Sequence, residues 1–425
     1  MTGITAHYSS LSLHRQCPTA WYYKYDLKLG KTDDIHSAPR DFGQWWSALR
    51  AVEAAERGIA HKTFREPVGG TISPVDGHTF SLRYDDCATV DDVLDAAASD
   101  WERWPEERTE DFIATMGDNL PDRLSSAYQL WLTEFAEERE NEHPIAVEQF
   151  WKRALPRPKA DGEWGDGIEN MPELQLMGYV DEIYLDTRRN EVVVRDSKTS
   201  KNIQRNGALD DMMDSQLQLY AWGLAPTLKR WGVDQVRAVA YDRIRSTASK
   251  QPQITKSGTL SKSVTDYDAA TYVAWAAGED GNGVPFPGLK KDGSGAGVYT
   301  VEESVVEKLN RPDWRATFAT RTQRPVNVNL VRAHLRAAID TATDIWRTQR
   351  RIESAGEVAR NLGQACKWCD FSDLCRAQMF GGKQGEYELA EFGLRAKSGE
   401  NYLDAGKLVQ RETVFAAPGE AHPDL

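Results

Sequence analysis

Four cysteines divided between the two ends of the chain limit its fold more than any other feature. One lies near the start and three lie close together near the end, and they are Cys17, Cys366, Cys369 and Cys375. Thiolates are soft ligands that suit an iron-sulfur cluster or a zinc ion, and four of them form a closed ligand set. A shared metal centre would hold the two ends together, so we expect one interdependent unit rather than separate domains.

The charge balance narrows the classes of partner. The chain has 425 residues and a formal net charge of −13, which argues against binding of nucleic acid by bulk charge. Only a locally basic groove or bound metal ions could then attract nucleic acid. Residues 1–10 contain no apolar segment of signal-peptide length, and no stretch approaches the roughly 20 apolar residues of a membrane span. We therefore expect a cytoplasmic protein whose patterned cysteines are metal ligands, with Cys87 as buried filler.

Helical and strand patterns alternate along the chain. Residues 1–140 are predicted to be rich in α-helix, and residues 141–275 contain strands that alternate with a helix, which indicates a mixed sheet flanked by helices. Residues 276–300 are rich in Gly and Pro and predict a mobile loop. Residues 301–380 contain a long predicted helix that leads into the cysteine cluster. Residues 381–425 form an acidic tail.

Two predicted strands in the middle of the chain bring carboxylates together. A four-residue hairpin loop over residues 187–190 pairs Asp181 with Asp196. Because side chains alternate along strands, Asp181, Asp196 and Lys198 share one face, which is otherwise apolar. Opposed carboxylates repel each other unless a cation lies between them. The pattern predicts a site for a divalent cation; the alternative is a frayed strand end at which Lys198 pairs with one carboxylate.

The hairpin and the helix that follows it resemble the PD-(D/E)XK nuclease superfamily. The triplet at residues 196–198 follows an apolar strand, as in that family, and Asp181 precedes it. Gln216 and Tyr220 lie four residues apart, so they share a helix face that can point at the site, as in the Q-x-x-x-Y helix of the RecB-like branch. The resemblance implies an α/β fold: a restriction-endonuclease-like mixed central sheet flanked by helices, with an α-rich N-terminal region and a C-terminal cluster-binding segment.

The cysteines resemble one branch of that superfamily. Their C-x2-C-x5-C spacing, and the Cys-Pro-x-x-Trp-Tyr-Tyr sequence at Cys17, are similar to the RecB-like iron-sulfur exonucleases, which include the AddB nuclease domain and CRISPR-associated RecB-like exonucleases. The resemblance extends from about Tyr8 to Cys375. It implies a structural 4Fe-4S cluster, with zinc as the alternative. Closing a loop of this length restricts the unfolded chain strongly.

The resemblance also implies roles for the central residues. Asp181 and Asp196, with the carbonyl of Ser197, would bind Mg2+ or Mn2+, because such ions prefer hard oxygen ligands. Lys198 would orient the attacking water or stabilise charge on the phosphate. The implied activity is phosphodiester hydrolysis by a DNA exonuclease, in DNA end processing or recombination. Gln216 and Tyr220 would complete the catalytic residues.

One position departs from the RecB-like pattern. Those enzymes commonly carry a histidine metal ligand in an early helix, and Ser47 stands where that histidine is expected. A neutral hydroxyl binds a divalent ion poorly, so another acid such as Glu148 is a candidate helper. The departure leaves a second hypothesis open: a non-catalytic DNA-end-binding or assembly subunit that keeps the nuclease fold.

Candidate contacts with DNA lie after the catalytic pattern. Arg243 and Arg245 are predicted to line the path of DNA that is single-stranded or has free ends; the alternative is a solvated surface. The aromatic run over residues 21–25 either stacks on bases or packs beside the cysteines. Residues 30–32 lack the first glycine of a P-loop, so any helicase is another chain. A helicase, a recombination partner or a second copy of the chain is the expected protein partner.

Overall fold

The computed structural model describes most of the chain. The described residues are 4–31, 37–60, 64–68, 71–74, 80–81, 89–158, 164–165, 172–203, 215–230, 233, 235–250, 252–253, 255, 260–277, 301–356, 358–380 and 392–394. The predicted loop at 276–300 lies outside them except for its first two residues, and Cys87 and most of the predicted tail also lie outside them.

The strands and helices follow one another in the mixed order that the sequence predicts. The strands are β1 (Ile4–His7), β2 (Leu29–Lys31), β3 (Phe64–Val68), β4 (Thr71–Pro74), β5 (Phe80–Ser81), β6 (Glu142–Ala154), β7 (Arg157–Pro158), β8 (Trp164–Gly165), β9 (Leu174–Asp186), β10 (Glu191–Ser200), β11 (Ala238–Arg245), β12 (Ala319–Pro325) and β13 (Phe392–Leu394). The helices are α1 (Tyr8–Gln16), α2 (Pro18–Trp21), α3 (Ala38–Ala60), α4 (Val90–Trp101), α5 (Glu106–Met116), α6 (Leu120–Glu134), α7 (Ala136–Arg139), α8 (Ser215–Arg230), α9 (Ala269–Ala277), α10 (Glu303–Leu309), α11 (Pro312–Arg315), α12 (Val328–Ala355) and α13 (Ser372–Phe380).

A six-stranded sheet forms the centre of the fold. Its order is β1-β9-β10-β11-β12, and β6 pairs with β9 as well. The pairs β1–β9 and β10–β11 are parallel, whereas β6–β9, β9–β10 and β11–β12 are antiparallel. Helices cover both faces of this mixed sheet, so the predicted α/β architecture is confirmed.

Two apolar cores lie on opposite faces of the sheet. Helices α3, α4, α5 and α6 cover one face, and their core includes Phe42, Trp46, Leu124, Trp131 and Val147. Helices α8 and α12 cover the other face, and their core includes Leu217, Leu224, Ile183, Val194 and Ile339. We call these the α3 side and the α8 side of the sheet.

The β9–β10 hairpin has the predicted turn and register. Residues 187–190 form the four-residue turn, and Asp186 faces Glu191 across it. The ladder continues as far as Arg195 opposite Glu182. Asp181 and Asp196 are the next residues along the two strands, at the point where the ladder ends.

The first helices and the last helices of the described chain pack together. His14 Nε2 lies 3.1 Å from Thr348 Oγ1, and Arg15 Nε donates to Thr341 Oγ1 at 2.7 Å. Beyond α12, Asn361 Nδ2 donates to the carbonyl of Gln16 at 3.1 Å. Helix α1 thus lies against α12, which positions Cys17 beside the C-terminal cysteines. Within the described ranges, no helix is both long enough and apolar enough to cross a membrane.

Candidate active site

Strand β6 changes the face of its side chains at Glu148. Val147 packs in the α3-side core, whereas Trp151 packs in the α8-side core. Residues four apart on a regular strand share a face, so the strand must reverse its faces between them. Glu148 has a φ of +45°, a left-handed conformation that residues with a Cβ adopt infrequently. The reversal therefore takes place at Glu148.

Strand β9 reverses its faces at the neighbouring position. Glu182 accepts a hydrogen bond from Arg50 of α3, whereas the Cα of Gly178 faces the ring of Tyr220 of α8. These two strand residues are also four apart, so the side chains change face between them. Asp181 lies within this interval, next to Glu182.

The two reversals bring two carboxylates together. Val147 pairs with Glu182, and Gln149 pairs with Val180. The position between these pairs sets Glu148 across from Asp181. Asp181 therefore has an acidic neighbour on each adjacent strand, with Asp196 on β10 and Glu148 on β6.

The sheet opens beside Asp181. On one edge of β9, β1 pairs as far as Met177 and β10 pairs from Glu182 onward. Within these described strands, residues 178–181 have no backbone pairing on that edge. The amide of Ser197 instead donates to Asp181 Oδ2 at 2.7 Å. This hydrogen bond holds the carboxylate at the opening, where a substrate can approach it.

The electrostatics of the site come from crowded carboxylates and one lysine. Partial burial raises the pKa of Asp181, and the negative charges of Asp196 and Glu148 raise it further. Lys198 Nζ lies 2.6 Å from Asp196 Oδ2, and the lysine side chain is 43% exposed. Burial lowers the pKa of Lys198, but Asp196 and Asp181 outweigh that effect and raise it. Lys198 is therefore charged at neutral pH and reaches solvent beside the acids.

The predicted helix pair also lies at this site. Gln216 Nε2 donates to the hydroxyl of Tyr220 at 2.8 Å, as their four-residue spacing predicts. Tyr220 packs edge-on against Trp151, with 5.6 Å between ring centroids. Burial raises the pKa of Tyr220 to about 12, so its hydroxyl remains protonated and can donate a hydrogen bond.

Helix α3 carries Ser47 toward the same strands. A Cβ at Gly43 would lie 3.4 Å from Thr199 Oγ1, and Arg50 Nη2 lies 3.5 Å from Glu182 Oε2. Ser47 follows Gly43 by four residues and precedes Arg50 by three, so the three share one helix face. Ser47 therefore lies on the face of α3 that is turned to β9 and β10.

A buried ionic cluster behind the site was not predicted from the sequence. Arg195 is fully buried on the α3 side, where its guanidinium lies 2.5 Å from Glu142, 3.1 Å from Glu182 and 3.5 Å from Asp242. Arg50, Glu53, Arg57, Arg139 and Arg321 complete the cluster. Burial raises the pKa of the Asp242 carboxyl, but Arg195 and Arg321 outweigh that effect and hold it well below its usual range. The sequence signal is Arg195 directly after three valines of β10, and a single charge at the end of an apolar run is hard to distinguish from a surface charge.

The two predicted DNA contacts have different environments. Arg243 pairs in register with Lys198 on the neighbouring strand, and its Nη1 donates to Thr322 at 3.3 Å. Arg245 is only 8% exposed and forms a two-pronged ion pair with Asp266. Arg245 is held by that pair inside the fold and Arg243 lies beside Lys198; contact of either arginine with DNA stays a prediction.

All four cysteines line one pocket at the junction of the chain ends. Its volume is about 280 Å3, and its lining includes Cys17, Cys366, Cys369 and Cys375. Burial raises the pKa of the Cys369 thiol, and the nearby Cys17 contributes in the same direction. Trp21 and Tyr23 are buried, so these two rings of the aromatic run pack in the interior. Within the described residues, no three or more His, Cys, Asp or Glu are arranged closely enough to hold a metal ion.

The comparison with family models agrees with this arrangement at the level of the superfamily. Residues 7–376 match the family model of the PD-(D/E)XK nuclease superfamily. Among solved structures, the crystal structure of SSO0001 is similar to this chain at 11% identity, over 66% of this chain and 92% of that chain, with a TM-score of 0.24. None of the curated proteins compared with the chain matches it.

Proposed function

The chain belongs to the PD-(D/E)XK nuclease superfamily, and we propose that it is a metal-dependent DNA exonuclease. The observation that carries the proposal is the meeting of Asp181, Asp196 and Lys198 where the central sheet opens. Nucleases of this superfamily generally use Mg2+ or Mn2+, which prefer oxygen ligands. We propose Asp181, Asp196 and the carbonyl of Ser197 as the ligands, with Glu148 as a further acid.

The electrostatics at the opening support binding of a divalent cation by Asp181 and Asp196. Burial and then the negative charges of Asp196 and Glu148 raise the pKa of Asp181, so ionisation of this carboxyl is unfavourable in the metal-free protein. A bound cation would remove this repulsion, polarise the phosphoryl oxygen and lower the pKa of a bound water. The amide of Ser197 already holds one oxygen of Asp181 in place, so the carboxylate has a fixed orientation.

The remaining residues act on the substrate and the water. We propose that Lys198, charged and partly exposed beside Asp196, orients the attacking water or stabilises charge on the cleaved phosphate. The protonated hydroxyl of Tyr220, held by Gln216, can donate to a phosphate oxygen. Arg243, next to Lys198 across the strands, extends positive charge along the path of the DNA backbone.

We further propose that the chain is an iron-sulfur nuclease of the RecB-like branch. The support is that all four cysteines line one pocket, because four thiolates are the ligand set of such a cluster. Zinc is the alternative occupant. When bound, the cluster would fasten the first helices to the last ones. In this branch the expected role is processing of DNA ends or recombination, on DNA that is single-stranded or has free ends.

A nuclease assay with matched variants tests the proposal. Labelled linear single-stranded and double-stranded DNA is incubated with the protein and Mg2+ or Mn2+, beside Asp196→Ala and Lys198→Ala. We expect each variant to lose roughly 100-fold or more of the activity, as when a group that stabilises transition-state charge is removed. Lys229→Ala, an exposed lysine at the end of α8, is the control and should retain activity.

Two outcomes would decide against parts of the proposal. Covalently closed circular DNA should resist digestion, and cleavage of the circle at the rate of linear DNA would exclude an exonuclease. A wild-type protein that cleaves nothing with either metal would exclude the enzyme. If that protein still bound DNA ends, we would adopt the second hypothesis, a non-catalytic end-binding subunit. Ser47 in place of a histidine favours this hypothesis.

A further inference from the structure

An exposed pair of aromatic side chains lies beside the proposed catalytic carboxylates. Phe150 of β6 is 41% exposed and Tyr179 of β9 is 46% exposed. The two residues are direct partners in the antiparallel ladder. Their ring centroids are 5.1 Å apart, and the ring planes are inclined by 51°. Each ring therefore contacts the other and still presents a large part of its surface to solvent.

The strand register places this pair next to the opening. Phe150 follows Glu148 by two residues, and Tyr179 precedes Asp181 by two residues. At the usual rise of a strand, the Cα atoms of Phe150 and Tyr179 lie about 7 Å from those of Glu148 and Asp181 along β6 and β9. That separation is short enough for a base attached to the cleaved phosphate, or to its neighbour, to reach the rings.

The face reversal at Glu148 and Asp181 explains why these rings are exposed. After the reversal, Trp151 turns into the α8-side core, where it is 2% exposed. Phe150, the preceding residue, must then point to the opposite face. Without the reversal, the aromatic residue at position 150 would be the buried one and Trp151 would be exposed.

A basic residue continues the same face. Lys152 is exposed and lies two residues beyond Phe150 in a regular part of the ladder, where it pairs with Met177. Side chains two apart on a strand share a face, so Lys152 lies on the same side as the two rings. Aromatic rings interleaved with positive charge form the usual binding surface for single-stranded nucleic acid.

We propose that Phe150 and Tyr179 form a stacking platform for unpaired bases of the DNA strand that enters the active site. This inference rests on the proposed nuclease function, and it names the residues that would hold the unpaired bases of single-stranded ends, or of duplex ends that have been separated. Bases stack on exposed aromatic rings with little dependence on sequence, while Lys152 binds the backbone beyond them. A paired base has its faces covered by its neighbours in the duplex, so the platform favours unpaired DNA.

Binding of an oligonucleotide that carries 2-aminopurine near its end tests the platform. The protein carries Asp196→Ala so that the DNA stays intact, and the platform variant adds Phe150→Ala and Tyr179→Ala. Base-aromatic stacking of typical strength predicts that the platform variant binds about 5- to 100-fold more weakly. The quenching of 2-aminopurine that stacking causes should be lost as well. Tyr179→Phe keeps the ring and should bind as before.

Two matched controls separate stacking from other effects. Ile113→Ala removes an equally exposed apolar side chain on α5 and should leave binding unchanged. An oligonucleotide with an abasic site in place of the stacked base should bind the platform variant and its parent with equal affinity. Melting of each variant is measured first, and Phe150→Leu replaces Phe150→Ala if the alanine variant is unstable, because leucine keeps apolar volume without an aromatic ring.

The outcomes distinguish failure of this inference from failure of the proposed function. Unchanged binding and quenching in the platform variant would overturn the platform, even if the wild-type protein is an active nuclease. A wild-type protein without nuclease activity would overturn the proposed nuclease function. The binding experiment would still test whether Phe150 and Tyr179 stack on bases. If the substitutions abolish self-association of the protein and leave DNA binding intact, the pair is a protein interface and the inference is wrong.

Discussion

Replacing Gly223 by alanine tests the packing that supports the proposed site. Gly223 lies in α8, and a Cβ there would stand 2.2 Å from Cε3 and 2.3 Å from Cζ3 of Trp151. Non-bonded carbon atoms are normally about 3.5–4.0 Å apart. Trp151 is 2% exposed and its ring meets that of Tyr220. The indole cannot move away without disturbing this proposed catalytic tyrosine.

The expected magnitude follows from two opposing effects. In an open helix interior, alanine stabilises by about 1 kcal/mol relative to glycine. Forcing extra volume into a well-packed core costs about 1–3 kcal/mol, and the deep overlap with the rigid ring of Trp151 justifies the upper value. We therefore expect Gly223→Ala to lower the free energy of unfolding by about 2 kcal/mol, and to reduce nuclease activity through the displacement of Tyr220.

A second helical glycine provides the matched control. A Cβ at Gly43 in α3 would lie 3.4 Å from Thr199 Oγ1, which is an acceptable contact. Gly43→Ala should therefore raise stability by about 0.5–1 kcal/mol, in keeping with helix propensity. The assay is urea unfolding followed by circular dichroism, with midpoints compared among variants of unchanged m-value.

A double-mutant cycle isolates the contact itself. In a Trp151→Ala background the ring is absent, so Gly223→Ala should become neutral or stabilising. If Gly223→Ala stabilises the wild-type protein as Gly43→Ala does, the reasoning about Trp151 is refuted. The same conclusion follows if the effect of Gly223→Ala is identical in the two backgrounds.

Three further predictions concern charge and the cysteines. The raised pKa of Asp181 means that its ionisation opposes folding once the pH exceeds its unfolded value of 3.8. Metal-free Asp181→Asn should therefore have a higher melting temperature than the wild-type protein at pH 8, and this difference should vanish near pH 3. A difference that does not depend on pH in the presence of a chelator would contradict this prediction. Arg195→Met leaves three buried carboxylates without a shared cation and should destabilise by about 3–5 kcal/mol, measured as a shift in the urea midpoint; an unchanged midpoint would show that the cluster is dispensable. Gently purified wild-type protein should be brown and contain iron, whereas Cys369→Ser should lose both colour and thermal stability; a colourless wild-type protein with stoichiometric zinc would exclude the cluster.

The hairpin could be predicted because its determinants are local. A four-residue loop and alternating apolar residues are sufficient to set the register that brings Asp181 and Asp196 to the end of the paired ladder. The contact between Gln216 and Tyr220 follows from helical spacing in the same way. Each prediction needed only residues that are close in sequence or joined by one turn.

The reversal of faces at Glu148 could not be predicted in this way. Glutamate has no special preference for a positive φ, so nothing in the sequence marks this position as irregular. A regular strand would place Val147 and Trp151 on one face. The two packed cores, whose helices are distant in sequence, instead place Val147 and Trp151 on opposite faces. The exposed position of Phe150 depends on that irregularity and was missed for the same reason.

The buried ionic cluster was missed because charged residues usually lie at the surface. Arg195 and Glu182 follow the alternation of their strands correctly, yet the face they occupy is covered by α3. Only the tertiary arrangement shows that their partners, such as Asp242, come from strands far apart in sequence.

The packing of α1 on α12 has a consequence for the order of events during synthesis. Arg15 and its partner Thr341 are separated by 326 positions in the chain. At roughly 5–20 residues per second, the ribosome adds those residues in about 15–65 s. During that interval α1 lacks α12, whereas β9 becomes available to pair with β1 as soon as residues 174–177 have emerged. The packing of α1 on α12 is therefore completed only late in translation, when α12 has emerged.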